Sequence, residues 1–327
     1  MPELSIIIVN WNGGELLRKC LHSILANRPA ISYEIILVDN ASTDGSVALV
    51  RDDESIKQLI AANQLRIVEN VENTGFGQAN NQAFALSRAP LIFLLNPDTE
   101  VTAGAVDTLI ATVNSGARVG ACGPRILNPD GSVQISVWRN PPSAWEILLS
   151  QMKLYLLLPA RMRGELLLGG HWQHDRRRQV PMLSGAAILL KREVIDEVGG
   201  FDERFHMYGE DNEWCFRVNR AGWQLVFEPA AVIVHHGAGS SSQRWTNLEK
   251  VRVQMEASFA FQKQALGGFA LVTNQLANYF VTVLQHSWRR IRGIPAPELE
   301  LARRIHWQHL KQSLARADRI ESDGRNF

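Results

Sequence analysis

Residues 91–100 read LIFLLNPDTE: five apolar residues in succession, then an amide, a proline, a carboxylate, a hydroxyl and a second carboxylate. An uninterrupted apolar run of this length is the pattern of a strand covered on both faces, as in a parallel sheet packed between helices. Pro97 has no N–H to give to a ladder, so the strand ends there. In open α/β sheets, ligands bind beyond the carboxyl ends of the strands. The run therefore delivers Asn96 and Asp98 to the mouth of a sheet. Oxygen donors in such a place suit a hard divalent cation that keeps substrate phosphates in its shell.

Working outward, the same grammar repeats. Residues 4–9 form an apolar, β-branched run that breaks at Asn10-Trp11-Asn12-Gly13-Gly14, and an apolar period of helical spacing follows over 16–25. A second strand over 34–38 ends in Asp39-Asn40, with Ser42 and Thr43 placed to cap the next helix. A third over 65–68 leads into Asn73-Thr74-Gly75-Phe76-Gly77 and another helix. Strands alternating with helices predict βαβ units, hence an α/β fold with a mostly parallel, Rossmann-like sheet flanked by helices. Each strand ends in Asn, Asp or Gly, which puts polar groups along one sheet edge. No Gly-x-Gly-x-x-Gly follows the first strand, so a dinucleotide oxidoreductase is disfavoured.

The second half is less regular. Short strands are expected at 119–123, 182–190, 223–227 and 232–234, and a helix over 208–219 carries Glu210, Asp211 and Glu213 in its first turn. Residues 138–180, with the apolar stretch 147–158 and the cluster Arg176-Arg177-Arg178, read as an insertion or flap within a domain spanning 1–245. Residues 246–327 read as a helical C-terminal extension. Its segment 267–292 is apolar with polar interruptions and closes on Trp288-Arg289-Arg290-Ile291-Arg292. The interruptions are too many for a membrane span, which leaves two readings: a helix lying in a membrane interface, or one packing on the main domain or a second copy.

Bulk composition narrows the class. The chain has 327 residues, 46% hydrophobic and 20% charged, enough apolar material for a large core. A net charge of +1 gives no electrostatic case for nucleic acid. Cys20, Cys122 and Cys215 are odd in number and widely spaced, so neither a disulfide framework nor a zinc knuckle follows, and a reducing, cytoplasmic setting fits. No basic and apolar leader precedes the first strand, so secretion is not expected.

Taken as an ordered set, the motifs SIIIVNWN (5–12), ILVDNASTDGS (36–46), NTGFGQANN (73–81), LLNPDTE (94–100), the long stretch 183–223 and VHHGAGSS (234–241) resemble the family 2 glycosyltransferases of the GT-A fold, most closely their rhamnosyltransferase-like branch. The resemblance covers residues 4–245 and leaves the tail aside. It implies an inverting transfer of a sugar from a nucleotide-sugar donor, dTDP-rhamnose or another, to a glycan or polyprenyl-linked acceptor during synthesis of a bacterial surface polysaccharide. Such an enzyme would work in the cytoplasm or on the inner face of the cell membrane.

Residue by residue, the resemblance makes Asp39 the reader of the donor's base, with Asn10, Asn12, Asn73, Gly75, Phe76, Gly77 and Asn96 around the donor. Asp98 and His235 would hold Mg²⁺ or Mn²⁺, with Asn96 where a first carboxylate often stands. His236, adjacent on a strand, would face the other way. Asp211 would be the general base and Glu210 its alternate, with pKa values lowered by the helix start. Gly185, Glu213 and Trp214 would shape the acceptor pocket, and Arg244 and Trp245 would cover the diphosphate or the acceptor. The competing reading, a nucleotide-sugar-binding or scaffold subunit without turnover, draws on Asn96 and on the unusual tail.

Overall fold

In the computed structural model, residues 1–138, 141–205, 208–237 and 246–323 are described. The chain divides into two compact units, one of Met1–Trp138 and Gln173–Arg244, the other of Arg139–Trp172 and Trp245–Phe327. The segment expected as a flap within the first domain thus contributes its residues 139–172 to the unit of the C-terminal helices.

The first unit is built on a sheet of nine strands among the described residues: β1 (Leu4–Asn10), β2 (Tyr33–Asp39), β3 (Leu65–Glu69), β4 (Leu91–Leu95), β5 (Thr99–Val101), β6 (Val119–Leu127), β7 (Arg178–Val180), β8 (Ala187–Lys191) and β9 (Gln224–His235). Its order is β3-β2-β1-β4-β8-β6-β9-β5, with β7 on β9. The first four strands pair in parallel, as right-handed crossovers through helices require. The expected α/β sheet flanked by helices is present. Beyond β4 its pairing changes: β8 enters antiparallel between β4 and β6, and β5 runs antiparallel to β9, so the whole sheet is mixed. The two short strands expected at 223–227 and 232–234 are one strand, β9, which shifts register against β6 between Glu228 and Val232, where Pro229 stands.

Among the described residues seven helices belong to this unit: α1 (Gly14–Ala26), α2 (Ser46–Asp52), α3 (Glu54–Ala61), α4 (Phe76–Leu86), α5 (Ala105–Val113) and, after the excursion into the second unit, α8 (Arg192–Val198) and α9 (Glu210–Arg220). Every residue of β1 and of β4 is buried, which explains their unbroken apolar sequence. Leu17, Leu21 and Ile24 of α1 pack with Leu4, Ile6, Ile8 and Phe93 in one core. Each fully buried Leu or Ile contributes about 1.5–3 kcal/mol, so the sheet centre is a stiff base for the loops at its carboxyl edge.

The second unit contains α6 (Ala144–Gln151), α7 (Ala160–Leu167), α10 (Asn247–Ala265), α11 (Gly268–Ile291) and α12 (Pro297–Asp323). Capping boxes at Ser143–Glu146 and Thr246–Glu249 start α6 and α10. Asn274 of α11 donates to Pro142 O at 2.6 Å, and Gln275 donates to Gln262 Oε1 at 2.9 Å. Among the described residues no helix is long and apolar enough to cross a membrane.

Candidate active site

The carboxyl ends of β1 and β2 lie side by side, with Asn10 opposite Asp39 in register. Asn10 Nδ2 donates to Asp39 Oδ1 at 2.7 Å, and Ser42 N–H donates to Asp39 Oδ2 at 3.0 Å. The Asp39 carboxylate is thus oriented by two donors in a buried setting. Asn12 takes a left-handed backbone, φ 52°, and accepts Thr43 N–H at 2.8 Å while its own N–H reaches Ser42 Oγ at 2.8 Å. The loop after β2 is therefore clamped from the loop after β1.

Asn40 does the same for the next loop. It is buried, donates to Asn73 Oδ1 (3.0 Å) and Gly75 O (3.2 Å), and accepts from Asn70 Nδ2, Thr74 N and Thr74 Oγ1. Asn73 Oδ1 also accepts Gly75 N–H at 3.0 Å, and Gly75, with φ 89°, turns the chain into α4. In the sequence reading Asn40 stands at the strand end and has no role. Its signal was its place beside Asp39 at a strand end, where an amide carries both a donor and an acceptor.

The helix α4 then meets a loop from far along the chain. Asn81 Oδ1 accepts Phe201 N–H at 2.8 Å, and Asn81 Nδ2 donates to Phe201 O at 2.9 Å. Phe76 and Phe201 stack obliquely at 5.7 Å. Gly77 is packed so closely that a Cβ there would lie 3.2 Å from Phe201 Cβ. Gly77 is thus a packing residue beneath the loop.

Asn96-Pro97-Asp98-Thr99 is a tight turn: Thr99 N–H reaches Asn96 O at 3.3 Å and Thr99 Oγ1 donates to the same oxygen at 2.7 Å. Proline suits the second position of such a turn. Asn96 N–H donates to Ala186 O at 2.9 Å, which ties the turn to the start of β8. Thr99 opens β5 and pairs with His235 at the end of β9, and this pairing brings Asp98 Oδ1 to 3.1 Å from His235 Nε2. Gln134 Nε2 donates to Asn128 Oδ1, so its Oε1, 2.6 Å from His235 Nδ1, is an acceptor and places a proton on Nδ1. Nε2 is then the nitrogen presented to Asp98. Neutral imidazole nitrogen beside a carboxylate oxygen suits a transition-metal dication such as Mn²⁺, and the acceptor on Nδ1 is the usual support for a ligating histidine. Among the described residues no group of three or more His, Cys, Asp or Glu side chains converges on such an ion, so the remaining positions in its shell would fall to substrate oxygens and water. His236 bonds Glu100 Oε1 at 2.7 Å, away from this pair.

Asp211 and Glu210 open α9. Gly209, with φ 92°, leads the chain into it. Asp211 Oδ2 accepts Gly185 N–H at 3.2 Å, and Oδ1 accepts Asn212 N–H at 2.8 Å and Asn212 Nδ2 at 3.0 Å. Trp138 Nε1 in turn donates to Asn212 Oδ1 at 3.2 Å. Glu210 is buried, and its Oε2 has no hydrogen-bond partner. The pKa values of both acids move opposite to the lowering expected at a helix start. Burial, with the neighbouring Asp211 charge second, pushes the Glu210 carboxyl up to about 8. Burial also raises Asp211, against the pull of its N–H donors. Desolvation outweighs the macrodipole here. The N–H donors favour the ionised form of Asp211, while Glu210 keeps its proton at neutral pH.

Glu213 and Trp214 are fully buried. Glu213 is held by Arg217 at 2.7 Å, and Trp214 Nε1 donates to Gly199 O at 3.2 Å. Arg217 also donates to Val198 O and Gly200 O. Through Arg217 and Gly199 the two side chains fix the 198–201 loop from inside. Gly185 does stand beside the acid: a Cβ there would lie 3.5 Å from Asp211 Cβ and 3.7 Å from Phe76 Cε1. A continuous path of contacts therefore runs from Asp39 and Asn40 through Asn73, Gly75, Phe76 and Gly185 to Asp211, and from Ala186 through Asn96 to Asp98 and His235. Arg244 and Trp245 lie outside the described residues.

A parallel sheet start, polar strand ends and the acid-bearing helix α9 bonded to the turn before β8 define an α/β fold of the GT-A type. Solved structures share it. A mannosyltransferase from Pyrobaculum calidifontis, in complex with GDP-Man and Mn²⁺, superposes with a TM-score of 0.56 over 96% of this chain and 86% of its own, at 17% identity. GalNAc-T7, with UDP, GalNAc and Mn²⁺, gives 0.51 over 80% of this chain, which spans 50% of that protein, at 19% identity. The family model "Glycosyl transferase family 2" matches residues 5–199, and "Glycosyl transferase family group 2" matches 162–290. An N-acetylglucosaminyl-diphospho-decaprenol L-rhamnosyltransferase from Mycobacterium tuberculosis is 30% identical over 268 residues, 73% of this chain and 78% of its own. The chain belongs to glycosyltransferase family 2 and is a glycosyltransferase.

Proposed function

We propose that this enzyme transfers a sugar, rhamnose from dTDP-rhamnose in the first instance, to a hydroxyl of a lipid-linked glycan acceptor in surface polysaccharide synthesis, with inversion at the anomeric carbon. The observation that carries the reading is the Asp211 carboxylate: partly buried, fixed by three N–H donors, and beside a neutral acid. The rhamnose and the lipid-linked acceptor are inferred from the Mycobacterium tuberculosis relative, whose name states both for that protein.

In this mechanism Asp39, Asn73 and the backbone about Gly75 bind the nucleotide and orient its diphosphate along the strand ends. The acceptor oxygen forms a bond to the anomeric carbon on one face, and the bond from that carbon to the diphosphate oxygen breaks on the other. The hydroxyl proton passes to Asp211, and the electron pair of the broken bond leaves on the diphosphate. Asp98 and His235 would hold a divalent cation, which when bound offsets charge on that leaving group. General-base assistance contributes about 10²–10⁴-fold. Asp211→Asn should therefore lower kcat by about that factor with dTDP-rhamnose and a lipid-linked N-acetylglucosamine diphosphate, while dTDP binding by calorimetry stays close to wild type. Wild-type turnover in the variant would refute the assignment, and transfer from another nucleotide sugar alone would refute the donor.

A further inference from the structure

Apolar surface is unevenly distributed in this molecule. Among the described residues, four large apolar side chains stand exposed in the first unit (Met1, Leu49, Val71, Ile135), whereas seventeen do so in the second. The helix α11 holds the most ordered set. Its exposed positions from Gly268 through His286 are Phe269, Leu276, Phe280 and Leu284, all apolar, with exposures of 43% to 85%. Trp288 and Ile291 continue the series. At 3.6 residues per turn these six positions fall within about 120° of arc, a single stripe along the helix. The opposite side is buried through Leu271, Asn274, Gln275, Val281 and Thr282. A surface helix of a water-soluble protein places polar residues on its outer face; here that face is apolar but for Thr273 and the exposed Ser287.

Charge says what covers it. The helix contains no Asp or Glu, and the stripe ends at Arg289, Arg290 and Arg292, all exposed, with Arg292 stacked over Trp288 at 4.4 Å. A groove of about 890 Å³ opens at this end between α11 and the turn after α6, lined by Met152, Lys153, Leu284, Trp288 and Ile291, with Glu298 as its one acid. The neighbouring Leu154, Leu156 and Leu157 are exposed too. Apolar side chains in line, a tryptophan at the boundary and a cationic end match a bilayer interface whose headgroups are anionic.

We infer that the outer face of α11, with the 152–157 turn, docks on an anionic membrane surface, the apolar stripe entering the headgroup–acyl boundary and the arginines meeting phosphate. The inference does not depend on which sugar or acceptor the first unit uses.

The test is sedimentation of the full chain with vesicles of equal parts phosphatidylglycerol and phosphatidylcholine, and with phosphatidylcholine alone, which needs neither donor nor acceptor. Binding to the mixed vesicles is expected, weakening as salt rises. Arg289→Gln and Arg290→Gln should each weaken it about fivefold, and the exposed pair Phe280→Glu with Leu284→Glu should abolish it while circular dichroism stays unchanged. A chain that stays in the supernatant with both vesicle types overturns the proposal, as does binding that ignores both lipid charge and the arginine changes. A doubled mass by light scattering, without sedimentation and lost in the Phe280→Glu/Leu284→Glu chain, assigns the stripe to a second copy and equally overturns it.

Discussion

Glu210→Gln separates the two adjacent acids by thermodynamics. In the folded chain Glu210 holds its proton up to about 8, against an ordinary value of 4.5. Between those values the folded state binds more protons than the unfolded chain, so stability falls as pH rises through the window. Each pKa unit corresponds to about 1.36 kcal/mol. At pH 7 the wild-type chain has lost about 3 kcal/mol relative to pH 4 on account of this one group. Glutamine has the same shape and no proton to lose, so its fold escapes that loss. The amide N–H₂ added where Oε2 has no partner costs about 1–3 kcal/mol at every pH, so the informative quantity is the change with pH. Urea unfolding in metal-free buffer should show variant stability minus wild-type stability rising by about 3 kcal/mol from pH 4 to pH 7. Turnover of the variant at pH 7 should stay within a few-fold of wild type, because the residue it replaces is already neutral there. A difference that stays flat with pH would refute the account of Glu210 as a buried neutral acid. Loss of turnover as deep as in Asp211→Asn would refute the division of roles.

Asp98→Ala should remove the Mn²⁺-dependent part of nucleoside-diphosphate binding in calorimetry and leave the metal-free part in place; equal affinities with and without metal in the wild type would contradict the Asp98–His235 pair. Asn40→Ala removes five hydrogen bonds of the 70–75 loop at about 0.5–1.5 kcal/mol each. It should lower stability by about 2.5–7.5 kcal/mol and speed amide exchange over residues 70–77, and unchanged exchange would show that the loop is held by other means.

The first four strands and their polar ends were legible because each is a local pattern: an apolar run, a break, a residue with an oxygen. Asn96, Asp98 and Asp39 could be picked out for the same reason. The entry of β8 between β4 and β6 could not, since Ala187–Lys191 is apolar on either side and its partner lies about a hundred residues away. The sequence places Glu213 in the first turn of a helix but carries no mark of the bonds that its partner Arg217 makes to Val198 and Gly200, which lie outside that helix. The pKa direction at Glu210 and Asp211 depends on burial, which a sequence of polar letters hides. Residues 139–172 joined the C-terminal helices through bonds such as Asn274 to Pro142, a pairing across more than a hundred residues with no local mark.

The bond pair between Asn81 and Phe201 has the donor and acceptor arrangement of one rung of a ladder, made by a side chain in place of a strand. It joins the wall beneath Phe76 to the stretch before α9 across 120 positions of sequence. Because the rivet is one residue wide, the seam rests on a single amide, and a shorter or longer side chain at 81 would unpair Phe201 from α4.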